Sequence, residues 1–246
     1  MSASARRSDA MRAIRWPQLV RRTHKWLALL IGVQVVFWTA TGFYMVVVHI
    51  DTIHGDHLVR PAPAPAVALA GLSPPGAAAA AVPGASEVRL ISRLGRPAWR
   101  VQGAAGVAVF DARSGARLGE LSEGEVRAAA KARFTGDTEI VRATRLTAPV
   151  QEMGKRPLPY WQVEFAGWNR PTLYIAPQTG ELLARRHLLW RVFDFAWMLH
   201  IMDYGERTDV NNPLLRVATW TALAMALTGA WLLVWAFPRR KKRKSI

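Results

Sequence analysis

Two long apolar stretches, one near each end, decide what this chain can become. Residues 26–50 read WLALLIGVQVVFWTATGFYMVVVHI and residues 217–237 read VATWTALAMALTGAWLLVWAF, neither with a formally charged side chain. About 20 apolar residues cross the hydrocarbon core of a bilayer as a helix, so both predict transmembrane helices. A signal peptide has a shorter apolar region that ends at a small-residue cleavage site. Residues 26–50 instead carry Trp and Tyr toward their ends and run on into His and Asp.

Charge sets the orientation. The chain has 246 residues, 51% of them hydrophobic, and a formal net charge of +16. Seven basic residues against Asp9 alone lie in the tail 1–25, and RRKKRK at 239–244 lies in the tail 238–246. Both clusters abut an apolar span on its terminal side, so the positive-inside rule predicts cytoplasmic termini and an outward-facing middle. The charge then reads as a topology signal and an anchor to anionic membrane lipid, not as a nucleic-acid-binding surface. The chain has no cysteine, which excludes disulfides, iron–sulfur clusters, thiolate metal sites and a cysteine nucleophile. Small residues recur in the spans, at Ala28 and Gly32 and at Ala218, Ala222, Ala226 and Ala230, as suits close helix contact in lipid. Each span also holds a Thr-Gly pair, Thr41-Gly42 and Thr228-Gly229, for which helix packing is the simpler role.

Residues 51–85 read as a juxtamembrane turn and a Pro/Ala-rich linker. An internal repeat follows. Glu87-Val88-Arg89 parallels Glu139-Ile140-Val141-Arg142, and PAWRV at 97–101 parallels PYWQV at 159–163. VFDARSG at 109–115 parallels YIAPQTG at 174–180, and Leu72-Ser73 before an Ala run parallels Leu121-Ser122 before EGEVRAAAKARF. Each copy predicts a helix followed by antiparallel strands, with glycine-bearing turns between alternating apolar runs. The fold expected for 86–185 is a duplicated α+β domain whose strand aromatics form its core. Residues 186–204 read as an amphipathic interfacial helix, too short and too charged to span, and 205–216 as a connecting loop.

Several of these features resemble one family. A basic tail followed by His24-Lys25-Trp26-Leu27, with Trp38 and Thr41-Gly42 further on, resembles the first helix of PepSY-associated transmembrane proteins. The helix-then-strands unit closing on Asp111-Ala112-Arg113-Ser114-Gly115 resembles the PepSY domain. Trp197 to Tyr204 (WMLHIMDY), with Asn211-Asn212-Pro213-Leu214, resembles what precedes the last helix of that family. The resemblance covers nearly the whole chain. It implies a bacterial inner-membrane protein of iron-uptake neighbourhoods, with a periplasmic domain. Larger relatives with more spans look like haem-containing reductases of ferric siderophores, and other PepSY domains act as inhibitory or regulatory modules of peptidases.

Six histidines are the candidates for chemistry, at positions 24, 49, 54, 57, 187 and 200. His24 and His49 lie 25 residues apart and, on one continuous helix, return to within about 20° of the same face at ends roughly 37 Å apart. Each suits either a cofactor ligand or an interfacial polar cap. His200 would share a helix face with Leu189, Phe193 and Trp197, an aromatic wall that suits haem b ligation as well as it suits a helix lying on the membrane surface. Topology puts His49 and His200 on the outer side, so they form the expected bis-His pair. His24 would need a partner from a second copy of the chain, in a homodimer. His54, Asp56 and His57 crowd the juxtamembrane turn, where imidazole and carboxylate suit a divalent metal or a docking ferric chelate, or simply a solvated turn. No Ser/His/Asp arrangement, phosphate-binding glycine loop or H-E-x-x-H motif is present.

Two functions follow. One is a haem-dependent electron-transfer protein of ferric-siderophore reductase type, engaging a ferric siderophore or a periplasmic redox partner. The other is a non-enzymatic, membrane-anchored PepSY module that regulates or senses a periplasmic protein.

Overall fold

The computed structural model of the chain describes residues 15–61 and 70–236. Most of both basic tails, and part of the Pro/Ala linker, lie outside the described residues. The chain divides into a helical unit, residues up to Val47 together with those from Phe195 on, and a sheet unit, Val48–Asp194.

In the helical unit, α1 (Trp16–Val47) and α6 (Pro213–Ala236) pack against each other, and both are long and apolar enough to cross a membrane. α1 begins ten residues before the apolar stretch and stops at Val47. There the β-branched run Val46-Val47-Val48 weakens the helix, and the His49 side chain accepts from the Asp51 N–H to start α2 (Ile50–His54). His49 therefore does not extend the α1 face that carries His24. α6 opens on Asn212, whose Oδ1 accepts from the Leu215 N–H at 2.8 Å, with Pro213 in the first turn. Along α6, Ala218 is buried and Ala222, Met225 and Gly229 are half-buried, while Ala226 and Ala230 are exposed. A strict four-residue row drifts off a contact face that follows 3.6 residues per turn, so only the start of the Ala row packs.

The sheet unit holds two antiparallel four-stranded meanders. The first is β1 (Glu87–Arg93), β2 (Arg96–Gly103), β3 (Gly106–Asp111) and β4 (Arg117–Leu118), preceded by α3 (Pro75–Ala80). The second is β5 (Ile140–Leu146), β6 (Tyr160–Phe165), β7 (Thr172–Ile175) and β8 (Leu182–Arg186), preceded by α4 (Glu123–Arg133). Repeat and topology agree: a helix and then four strands, twice. The Trp99↔Phe110 pair of β2–β3 stands where Trp161↔Ile175 stands in β6–β7. α4 lays Val126 and Ala130 on the second sheet, where Val163, Phe165, Leu173 and Ile175 are buried and Phe134 stacks on Phe165 at 4.1 Å. The sheets are tied by Leu121 N–H to the Pro177 carbonyl (2.7 Å) and by Arg145 forking onto Glu120 at 2.9 and 3.0 Å. From β8 the chain enters α5 (Leu188–Ile201), which leads into the helical unit.

Candidate functional site

Within the helical unit, the end of α5 meets α1. The last carbonyls of a helix have no intrahelical partner. Here side chains supply one: Gln34 Nε2 donates to the Leu199 carbonyl (2.9 Å), Trp38 Nε1 to the His200 carbonyl (2.6 Å) and Asn212 Nδ2 to the Ile201 carbonyl (2.9 Å). Gln34, a lone amide in an otherwise apolar span, was the sequence signal for this contact. Met202 then takes a left-handed conformation, and Asp203 accepts from the N–H groups of Gly205, Thr208 and Asp209, which holds its carboxyl below the usual range.

This end places the His200 ring. Its Nδ1 lies 2.8 Å from Thr41 Oγ1, and the Thr41 hydroxyl donates to the Phe37 carbonyl at 2.6 Å. With the hydroxyl hydrogen on the Phe37 carbonyl, the shorter of the two contacts, the oxygen is left to accept from His200 Nδ1–H. Trp197 stacks beside the imidazole, with ring centres 6.4 Å apart and planes 8° from parallel.

A second imidazole on α1 repeats the arrangement. His24 Nδ1 lies 3.1 Å from Thr228 Oγ1 and 3.1 Å from the Met225 carbonyl, and Thr228 donates to backbone carbonyls of its own helix. A carbonyl only accepts, so Nδ1 carries the proton. At Gly229 a methyl group would stand 3.1 Å from His24 Cε1, so glycine lets the ring lie close against α6. Each Thr-Gly pair therefore faces a histidine: Gly42 lies under His200 as Gly229 lies under His24. His24 and Thr41, the partner of His200, are 17 residues apart on α1, about 25 Å along the axis. Among the described residues neither Nε2 takes a hydrogen bond, and both rings are half-buried.

The remaining histidines belong to the sheet unit. The His49 ring is 73% exposed and uses Nδ1 as an acceptor from the Asp51 N–H, 3.3 Å away. Asp56 is paired with Arg185, which also donates to the His54 carbonyl at 2.9 Å. The His57 carbonyl accepts from Thr135, and its ring meets His187 edge-on at 5.7 Å. Among the described residues, no three histidine or carboxylate side chains converge as metal ligands. His187, one of the six histidine candidates but given no role from the sequence, is fully buried; Nε2–H donates to the Thr52 carbonyl at 3.0 Å and, among the described residues, Nδ1 has no partner. Burial lowers its pKa. Gly55, at φ +73°, admits the ring: a Cβ there would lie 3.0 Å from His187 Cδ2.

The face of the second sheet away from α4 carries a further polar cluster. Arg191 of α5 forks onto Glu152 at 2.6 and 3.3 Å, Tyr174 donates to Glu152 at 3.0 Å, and Gln162 donates to the Tyr174 hydroxyl. Arg186 donates to the Glu152 carbonyl and lies over the Trp190 ring, and burial lowers its pKa to about 10. The same burial, with the Glu152 charge, raises the Tyr174 pKa. Beside the network opens a cavity of about 590 Å³, lined among others by Gln162, Glu164, Arg170 and Thr172. Arg191 breaking the apolar run after His187 was the only trace of this network in the sequence.

Comparison with known protein families, characterised proteins and solved structures finds no match to this chain.

Proposed function

We propose that this is a haem-binding electron-transfer protein of the bacterial inner membrane, of ferric-siderophore reductase type. Both termini would be cytoplasmic and the sheet unit periplasmic. One observation carries the reading: two imidazoles, His24 of α1 and His200 of α5, each have Nδ1–H turned onto a threonine hydroxyl that is itself held by its own helix. In the neutral ring that bond leaves the Nε2 lone pair free, the state in which imidazole ligates iron, and such outer hydrogen bonds also orient a ligand and raise its basicity. The donor set fits haem, because the His200 imidazole lies beside Trp197, with Trp38 on the same residue's carbonyl, the His24 imidazole lies against α6 at Gly229, and among the described residues no carboxylate bonds either ring. His24 and His200 would each give one ligand to a separate haem, with Thr228 and Thr41 as positioning residues. His49 stands apart from this set, since the neutral ring that accepts at Nδ1 carries its proton on Nε2. Bound haem supplies a one-electron couple. The chain's own part is to set the tautomer, exclude water with aromatic walls, and present two ligand levels about 25 Å apart along α1. The cavity beside Glu152 and Arg191 offers the sheet unit a polar concavity for a chelate or a redox partner.

The test is a dithionite-reduced minus oxidised spectrum of the full chain, expressed with haem precursor and purified in detergent. Soret and α bands are expected; His24→Ala and His200→Ala should each remove part of them, and the double variant all. A flat spectrum overturns the haem reading and leaves the regulatory module.

A further inference from the structure

We propose that the sheet unit binds a small organic polycarboxylate, an ionised di- or tricarboxylic acid, in a second cavity of about 210 Å³ that shares no lining residue with the one beside Glu152 and Arg191. This inference does not depend on haem. Arg156 of the turn before β6, Arg185 and Arg186 of β8 and His54 of α2 line the cavity, with Trp190 from the first turn of α5, and no carboxylate does. The acids close by have other duties. Asp56 pairs with Arg185, Glu152 gives its carboxylate to Arg191 and Tyr174, and Asp194, like Glu152, acts on Arg186 from outside the lining.

Arg186 cannot swing its charge away. Its Nε and Nη2 donate to the Glu152 carbonyl at 3.0 and 2.8 Å, its Nη1 to the Arg185 carbonyl at 2.8 Å, and the guanidinium lies 4.0 Å over the Trp190 ring. Arg156 stands close enough that its charge adds to burial in pushing the Arg186 pKa down. Holding two such cations together at a wall without a carboxylate is unfavourable, and an anion between them reverses the sign of that interaction. Donors are open to receive one. Among the described residues the Arg156 guanidinium has no partner, and Arg185, with Nε on the His54 carbonyl and Nη2 on Asp56, keeps Nη1 free. A guanidinium fork matches a carboxylate in two parallel hydrogen bonds.

Size and wall chemistry narrow the ligand. At about 30 Å³ per water the cavity equals about seven waters, below the roughly 300 Å³ at which drug-sized ligands begin. Several cations call for more than one negative charge. Leu182, Leu183 and the Trp190 ring offer a carbon skeleton an apolar wall that a bare inorganic ion leaves unused.

The test is calorimetric titration of the full chain in detergent, at about 0.15 M salt so that loose surface pairing is screened. Citrate should bind saturably at one site, and inorganic phosphate and acetate at least tenfold more weakly. Arg156→Gln, which removes no protein contact, should weaken citrate about tenfold, with Arg156→Lys in between because the charge stays and the fork is lost. Arg142→Gln, exposed on β5 outside the cavity, should change nothing. Citrate should also slow amide exchange across residues 182–190 and leave β1 and β2 as they were. No saturable binding, phosphate as tight as citrate, equal losses from Arg156→Gln and Arg142→Gln, or protection that misses 182–190 would each overturn the proposal.

Discussion

In the first meander, β1–β4, the core gathers Ala78, Val101, Ala108 and Phe110, and the helix laid on it is the six-residue α3. In the second, β5–β8, ten buried residues meet, Phe134 and Phe165 among them, under the eleven-residue α4. The far face of the second sheet is occupied too, by Met153, Tyr160, Tyr174 and Ala184 and then by the Glu152 network. Two copies of one topology thus differ in what surrounds them. The second leads through β8 directly into α5 and is built to hold that helix. Shared strand order fixes register and turns, while burial is set by what each copy must support.

The largest test of this asymmetry is in the cores. Phe165→Ala removes a ring that is 3% exposed and stacked on Phe134, and it should cost about 3–5 kcal/mol. Phe110→Ala, 4% exposed among alanines and valines, should fall at the low end of that range. Hydrogen exchange of β6 and β2 amides in the full chain reads both, because local opening energies separate the two sheets. Equal losses would mean that the sheets share their stability.

Next come the charges. Glu152→Ala leaves Arg191 and the Tyr174 hydroxyl short of a partner at a site where the carboxylate is 21% exposed, while Arg186 keeps its bonds to the backbone carbonyl of residue 152, and should destabilise the second sheet by about 2–3 kcal/mol. Glu87→Ala breaks the pairs with Arg89 and Arg100 of the first sheet, and the Glu87 side chain is 42% exposed; the change should stay within about 0.5 kcal/mol. Chemical denaturation followed by exchange in β7 and β1 distinguishes them. A comparable loss at Glu87 would put an equally important polar network in the first copy.

What the sequence made legible follows the same division. Both long apolar helices, the duplication and its helix-then-antiparallel-strands unit were readable, because hydropathy length, repeat spacing and turn glycines are local signals. The boundary at Val47 was not, because a β-branched run and a side-chain cap ended a helix that hydropathy alone continues to residue 50. His24 and His200 stood out as candidates by type and place, but their tautomers depend on Thr228 and Thr41, 204 and 159 residues away in sequence. The Thr-Gly pairs were visible and read as packing, and no local rule links a threonine to a distant ring. The Glu152 network escaped for the same reason, its members coming from β6, β7, β8, α5 and the turn before β6.

The smallest effect concerns the two serines that the repeat aligns. Ser122 caps α4, with its hydroxyl accepting from Glu125 N–H while the Glu125 carboxylate accepts from Ser122 N–H, a reciprocal box that holds the Glu125 carboxyl below its usual range. Ser73, its counterpart, caps nothing: α3 begins after Pro74 without a side-chain cap, and the Ser73 hydroxyl donates to the Ala112 carbonyl while Trp99 Nε1 donates to it. Ser122→Ala should therefore cost about 1 kcal/mol and speed exchange of the first-turn amides of α4 roughly fivefold. Ser73→Ala should leave α3 exchange unchanged, because Trp99 keeps its bond to the Ser73 carbonyl. If Ser73→Ala loosens α3 as much as Ser122→Ala loosens α4, the serines do equivalent work, and the divergence of the copies is confined to the faces of their sheets.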